Sequence, residues 1–314
     1  MDASQVEPTG VLYQRTHNPP STHRPPHRQD HLLSTLSERR RVSRHDAATA
    51  DFDRPNAARA HDWLLGGTLN TPLDRAAATA ALQAHPALRD LLRDNRAFLR
   101  QAVHHMLDTG IRQFLDLGCG LPTMGAIHQL VSSRDLDARI VYVDHDPATA
   151  ARITLLTRDR PHTAVVQADL RRPRAVLEHP DTAQLLHPDT PTGLIAVDIL
   201  DTLPDQDQPD RIIGTYLRAL APGSHLALTH LTTWPTTRTD PIDSDVAVTP
   251  TTMPSFDTQR WWIRHPRHPT RVRGWLDMAE LPSPTPSLRT RYTGKTEAIT
   301  PTEVEVLRTL LVKN

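Results

Sequence analysis

The chain has 314 residues, and its 36 Lys+Arg are balanced by 36 Asp+Glu. Zero net charge argues against a strongly basic nucleic-acid binder and against an acidic tail protein. No apolar run approaches the roughly 18–20 residues needed to cross a bilayer, and the N-terminus lacks the apolar segment of a secretory signal. A single cysteine, Cys119, excludes an internal disulfide framework and a multi-cysteine metal site, so a reducing, cytoplasmic compartment is the expectation.

Residues 1–50 are expected to form a disordered tail. The run THNPPSTHRPPHRQDH has no apolar period and buries too little surface to offset its ordering entropy. His17, His23, His27 and His31 are set aside as metal ligands because a flexible tail preorganises nothing, and no metal site is expected. Organisation begins near Asp53. Ala57, Ala60, Trp63 and Leu64 predict a helix that stops at Gly66-Gly67. A second helix is predicted from Pro86 to Asp108 on the period of Leu88, Leu91, Leu92, Leu99, Val103 and Met106.

Short apolar runs then alternate with helical segments. Strands are predicted at Gln113–Leu117, Arg139–Asp144, Thr163–Ala168, Leu194–Ile199 and His225–Thr229. Helices are predicted at Thr123–Ser133, Pro147–Asp159, Pro173–Leu186 and Asp210–Leu220. Strand–helix–strand repetition defines an α/β class, a doubly wound parallel sheet whose ligands bind beyond the carboxyl ends of the strands. Residues 232–290 are rich in Pro, Thr and Arg. A closing helix is predicted over 301–311, from the capping pattern Thr300-Pro301-Thr302-Glu303 and the apolar face of Val304, Leu307, Leu310 and Leu311.

The chemistry concentrates where the strands end. The first closes on Asp116-Leu117-Gly118-Cys119-Gly120. Glycines there let the backbone turn tightly and approach a ligand. A dinucleotide site would carry a third glycine where this chain has Thr123, and an acid at Asp116 would repel a pyrophosphate. Asp-x-Gly-x-Gly instead suits S-adenosylmethionine, which has no phosphate and carries a sulfonium. Asp144, ending the second strand, can accept both ribose hydroxyls, and Asp169, after the third, can accept from the adenine amino group.

The runs FLDLGCG, VYVDHDP and VVQADL resemble the class I, Rossmann-like methyltransferases that use S-adenosylmethionine. The block Arg54-Pro55-Asn56-Ala57-Ala58-Arg59-Ala60-His61-Asp62-Trp63-Leu64-Leu65-Gly66-Gly67 is similar to one mostly uncharacterised subfamily of them, as are Asp74-Arg75, Asn95-Arg96-Ala97-Phe98-Leu99 and the glycine turn followed by Leu121-Pro122-Thr123. The likeness spans about residues 53–231 and, weakly, 291–311. It implies a methyltransferase domain over 51–314. Its parts would be a helical cap (51–110), a cofactor-binding core (111–231), an insertion (232–290) and a terminal helix (291–314). It also implies that Asp116, Gly118, Cys119 and Gly120 line the methionine end, that Asp144 and His145 flank ribose and adenine, and that Asp169 meets the adenine. Arg59, Asp62, Gly66 and Gly67 would belong to a block folded over the cofactor, with Arg59 and Asp62 exposed.

The acceptor side is open on sequence. The Asn/Asp-Pro-Pro-aromatic run of exocyclic-amine methylases is absent after the fourth strand. The only cysteine sits in the glycine turn rather than where it could attack a pyrimidine ring. Both absences favour a small-molecule acceptor over nucleic acid. Asp201, where the subfamily carries histidine, and His230 are candidate bases by location alone. Alternatives are a non-catalytic S-adenosylmethionine-binding or partner-binding protein, and an RNA or protein methylase using the Arg/Trp stretch Thr258–Trp275. The better reading of that stretch packs its tryptophans on the sheet and leaves its arginines in water. Methyltransferases of this type complete the sheet with a C-terminal hairpin. With a helix over 301–311 the hairpin would be missing, or replaced through Val246–Thr249 and Arg271–Leu276. A missing hairpin would leave a bare sheet edge that invites a homodimer.

Overall fold

The computed structural model describes residues 52–121, 125–134, 137–233, 264–277, 289–292 and 304–313. The expected tail over 1–50, the segment Val246–Thr249 and Trp234, Trp261 and Trp262 lie outside them. The described part after residue 51 is a seven-stranded sheet with helices on both faces; from one edge to the other run Thr163–Gln167, Arg139–Asp144, Gln113–Leu117, Gly193–Ala196, His225–Thr233, Val304–Val312 and Arg289–Tyr292.

Strands β1 (Gln113–Leu117), β2 (Arg139–Asp144), β3 (Thr163–Gln167), β4 (Gly193–Ala196) and β5 (His225–Thr233) are parallel. Their Val, Ile and Leu runs are buried on both sides, as crossover helices demand. One face is covered by α3 (Leu88–Asp108) and α4 (Ile127–Ser132), with Leu99, Val103, Met106, Ile127 and Val131 packed on Phe114, Ile140 and Ile195. The other is covered by α8 (Pro209–Ala219) and α9 (Pro269–Asp277), with Ile213, Tyr216, Val272 and Trp275 packed on Leu115, Leu194 and Leu228. On the way, α5 (Pro147–Leu156) links β2 to β3, and α6 (Pro173–Leu177) and α7 (Pro180–Leu185) link β3 to β4. The expected single helix Pro173–Leu186 is thus two, divided before Pro180, whose ring cannot continue the first.

The C-terminal expectation is overturned. Val304–Val312 is a strand, β7, antiparallel to β5 over nine residue pairs, and β6 (Arg289–Tyr292) pairs antiparallel with it. The hairpin is present, the sheet is complete, and the argument for a homodimer through a bare edge loses its premise. The physical reason lies in the burial of β7 on both faces. Leu307 and Leu311 enter one core, while Leu310 and Val306 pack on the opposite side. A strand with two buried faces shows no alternation, so Val304, Leu307, Leu310 and Leu311 imitate a helical stripe. Arg271–Leu276 is correspondingly helical: Val272, Trp275 and Leu276 are buried at spacings of three and four.

Two short helices precede the core. The Asn56 side chain caps α1 (Ala57–Leu64), and Thr71 and Asp74 form a capping box at α2 (Pro72–Ala84), which the sequence reading missed. Ala60 and Leu64 of α1 pack with Leu88, Leu92, Leu231 and Val306, so α1 is anchored to α3, β5 and β7.

Candidate functional site

The carboxyl ends of β1 and β2 gather around one turn. Gly118 and Gly120 have φ of +62° and +58°, in the left-handed region that glycine enters without strain. A Cβ on Gly118 would stand 2.4 Å from the Ile199 side chain, so the turn is closely packed from behind. Cys119 N–H donates to the Val143 carbonyl at 3.1 Å, and Gly120 N–H donates to Oδ2 of Asp144 at 3.0 Å. The other carboxylate oxygen of Asp144 accepts from Asp146 N–H at 3.0 Å. Ala168 N–H donates to the Asp144 carbonyl at 3.0 Å, which brings the end of β3 and Asp169 alongside. His145 is exposed, with Nδ1 3.8 Å from the Asp144 carboxylate.

Asp116 is buried at this turn and accepts no hydrogen bond from the described residues. Burial pushes its carboxyl up to about 7; Arg96 opposes the shift and Asp144 adds to it. A buried carboxyl with no hydrogen-bond donor among the described residues suits a cationic ligand group. Cys119 is buried too, and burial and the nearby Asp144 and Asp116 hold its thiol protonated. It offers the turn its backbone rather than a nucleophile. Asp169 is bound by Arg171, whose Nη2 stands 2.7 Å from Oδ2, and that hydrogen bond draws the carboxyl below its ordinary value.

The N-terminal block meets the turn through Ala58, whose Cβ lies 3.8 Å from where a Cβ on Gly120 would be. Arg59 and Asp62 are buried, not exposed as expected. Arg59 Nε donates to Asp74 at 2.7 Å, tying α1 to the cap of α2. Asp62 accepts from Leu69 N–H at 2.7 Å and Asn70 Nδ2 at 3.0 Å, bracing the turn at Gly66-Gly67. A Cβ on Gly67 would fall 2.0 Å from the Asp62 carboxylate, which explains a glycine there.

The two candidate bases are engaged elsewhere. Asp201 accepts from Arg264 Nη1 at 2.5 Å and from Leu231 N–H at 3.2 Å. His230 is fully buried, with Nδ1 2.6 Å from the Leu231 carbonyl and Nε2 3.0 Å from Arg267 Nη1. Burial drives its imidazole down to about 4, so it is neutral, with its lone pair turned to Arg267. Arg264 and Arg267 are therefore buried, against the expectation that the arginines of this stretch lie in water. A polar cluster that the sequence reading passed over lies nearer the turn: His61 on α1, Asn95 on α3 and Asp198 after β4.

The fold and this turn define a Rossmann-like methyltransferase dependent on S-adenosylmethionine. The chain belongs to the S-adenosyl methyltransferase family, whose model matches residues 43–261. Among solved structures it is similar to a proposed methyltransferase from Thermobifida fusca, with 30% identity and a TM-score of 0.63, covering 83% of this chain and 97% of that one. It is also similar in fold to a protein of the family DUF574 from Streptomyces avermitilis, with 24% identity and a TM-score of 0.66, covering 84% of this chain and all of the other. Comparison with curated protein sequences returns no match. No described helix is long and apolar enough to cross a membrane.

A cofactor ammonium group held by Asp116 would make the affinity depend on pH. The carboxyl would have to be ionised to meet it, so below pH 7 binding would release a proton. Affinity for S-adenosylhomocysteine is expected to fall about tenfold per pH unit below 7 and to level off above about 8. Calorimetry in buffers of different ionisation enthalpy reads both the affinity and the proton release. An affinity constant from pH 5.5 to 8.5 would show that Asp116 does not meet the ammonium.

Proposed function

We propose that the protein transfers a methyl group from S-adenosylmethionine to a small-molecule acceptor bound between the glycine turn and α1. Asp116, Gly118, Cys119 and Gly120 would hold the methionine end, Asp144 and His145 the ribose, and Asp169 the adenine. Support comes from the hydrogen bonds that draw the ends of β1, β2 and β3 together. The cofactor supplies a methyl group already activated on a sulfonium, so the protein's part is to position, desolvate and take up a proton. Arg59, Asp62, Gly66 and Gly67 would act one step removed, by setting α1 against the turn.

The small-molecule reading is carried by enclosure. Helix α1 lies beside Gly120 and is anchored by Ala60 and Leu64 in an apolar cluster. The side chains next to the turn, His61 and Asp198, are 18% and 13% exposed. That enclosure favours an acceptor small enough to enter whole over one that must extend a base or a side chain into the site. Buried Arg264 and Arg267 also leave the Arg/Trp stretch a weaker nucleic-acid surface than its composition suggests.

The test incubates the full-length protein and methyl-labelled S-adenosylmethionine with a small-metabolite extract, total RNA or total protein. Label is expected in low-mass products only. Label in RNA or protein would replace this reading with a macromolecular one. Tight S-adenosylhomocysteine binding without turnover on any of the three would favour a non-catalytic binding protein.

A further inference from the structure

Two residues outside the cofactor assignments meet beside the glycine turn. His61 lies three residues after Ala58, on the same face of α1, and Ala58 is the side chain beside Gly120. Asp198 precedes Ile199, whose side chain fills the space behind Gly118. His61 Nε2 and Asp198 Oδ2 stand 3.6 Å apart. The pair is therefore placed at the end of the site assigned to the methionine part of the cofactor.

Asp198 is held from several directions. Its N–H donates to Thr229 Oγ1 at 2.8 Å, and its carbonyl accepts from Arg264 Nη1 at 2.8 Å. Its carboxylate accepts from Asn95 Nδ2, and Asn95 Oδ1 in turn accepts from Arg308 Nε at 2.8 Å. Its φ is +59°, in the left-handed region. A glycine would take that backbone without strain. Aspartate is among the residues that enter that region most readily after glycine, and the hydrogen bonds above hold it there. The result is a carboxylate aimed at the imidazole of α1 rather than a simple strand end.

We propose that His61 is the general base, and Asp198 its positioning residue, for methyl transfer to a hydroxyl-bearing small molecule, an inference that rests on the methyl-transfer reading above. The Asp198 carboxylate, 3.6 Å from Nε2, favours by its charge the tautomer with hydrogen on Nε2, which would put the lone pair on Nδ1. The acceptor oxygen forms its bond to the methyl carbon as the carbon–sulfur bond breaks, and that electron pair stays on sulfur. The hydroxyl proton passes to Nδ1 of His61 and leaves to solvent afterwards. An amine is nucleophilic once neutral, whereas a hydroxyl must lose its proton as the new bond forms, so the base gains most for a hydroxyl.

The electrostatics agree. Burial lowers the pKa of His61, and Arg96 and Arg264 add to this while Asp198 opposes it, so the balance favours the neutral imidazole. For Asp198 burial works against the charge, but His61 and Arg264 draw the carboxyl below its ordinary value. Among the described residues, the charged groups whose influence on His61 is resolved include Asp198, Arg96 and Arg264.

The test compares full-length wild type, His61→Gln and Asp198→Asn. Histidine ring nitrogens are followed by nitrogen-15 NMR, with His61 assigned from its loss in His61→Gln. The wild type is expected to show the Nε2–H tautomer, and Asp198→Asn a mixture. Affinity for S-adenosylhomocysteine, by calorimetry, should stay within about threefold in both variants. Turnover on the metabolite extract should fall at least about 100-fold in His61→Gln, the size of a lost general base. In Asp198→Asn the acid limb of the pH–rate profile should move to lower pH, because the anion that raises the imidazole is gone. An Nδ1–H tautomer in the wild type overturns the proposal whether or not an acceptor is found. A more than tenfold loss of S-adenosylhomocysteine affinity in both variants assigns the pair to the cofactor and also overturns it. Unchanged turnover in His61→Gln does the same. A wild type with the expected tautomer and tight binding but no turnover on any acceptor counts instead against the methyl-transfer reading.

Discussion

Replacing Arg264 by alanine is expected to lower the stability of the folded protein by about 3–5 kcal/mol. The side chains of Arg264 and Asp201 are 7% and 2% exposed and meet at 2.5 Å. Removing the guanidinium takes the ion-pair partner from the buried Asp201 carboxylate, and Leu231 N–H alone does not replace it. It also releases the Asp198 carbonyl, so the loop after β4 loosens with it. Urea unfolding followed by circular dichroism measures the loss. The double variant Arg264→Met with Asp201→Leu should recover most of it, because the cost lies in the orphaned charge and not in the absence of a salt bridge. A loss under about 1 kcal/mol in the single variant would show that the pair is not structural. This outcome changes how the Arg/Trp stretch is probed. Neutralising Arg264 or Arg267 tests the fold before it tests nucleic-acid binding, since Arg267 also reaches Asp205, His230 and the Leu203 carbonyl.

Asp144→Ala is expected to weaken S-adenosylhomocysteine binding by about 2–4 kcal/mol, roughly 30- to 1000-fold. Two effects combine. The ribose hydroxyls lose a charged acceptor in a site built to pair them. The glycine turn loses the bond from Gly120 N–H, and the entry to α5 loses the bond from Asp146 N–H. Asp144→Asn separates the two. It keeps one carbonyl oxygen for Gly120 but removes the charge and one acceptor, so its loss should fall between wild type and alanine. A change below about 0.5 kcal/mol in Asp144→Ala, with the circular dichroism spectrum intact, would show that Asp144 does not hold the ribose.

Much of this protein was legible in the chain before any coordinates. The limits of β1 and β2 match the apolar runs residue for residue, and the other three parallel strands lie at the expected places. A parallel strand between crossover helices is marked by a local signal, a short Val/Ile/Leu run bounded by turn residues. The Asp-x-Gly-x-Gly turn and the acids at the ends of β2 and β3 are local as well, because a glycine at positive φ and a carboxylate within two residues of a strand end are properties of a few adjacent positions. The family and its cofactor followed from them.

The rest depended on contacts between residues far apart in the chain. Val304–Val312 carries helical spacing and a capping pattern, yet pairing with nine residues of β5 makes it a strand, because tertiary hydrogen bonds and two buried faces outweigh local preference. Asp201 and His230 sit at the strand ends where a base would be sought, and the fold pairs them with Arg264 and Arg267, more than thirty residues away. Arg59 and Asp62 carry charge, which on an isolated helix predicts exposure; the cap of α2 and the turn after α1 bury them instead. His61 and Asp198 became visible as a pair only when the fold brought α1 over the end of β4, since no spacing in the sequence relates two residues that far apart. What the chain determined alone was what neighbours along it can decide: strands, turn and cofactor class. Which charges are buried, which strand closes the sheet and which side chains gather beside the turn are set by the packing of distant segments, where desolvation and pairing override local pattern.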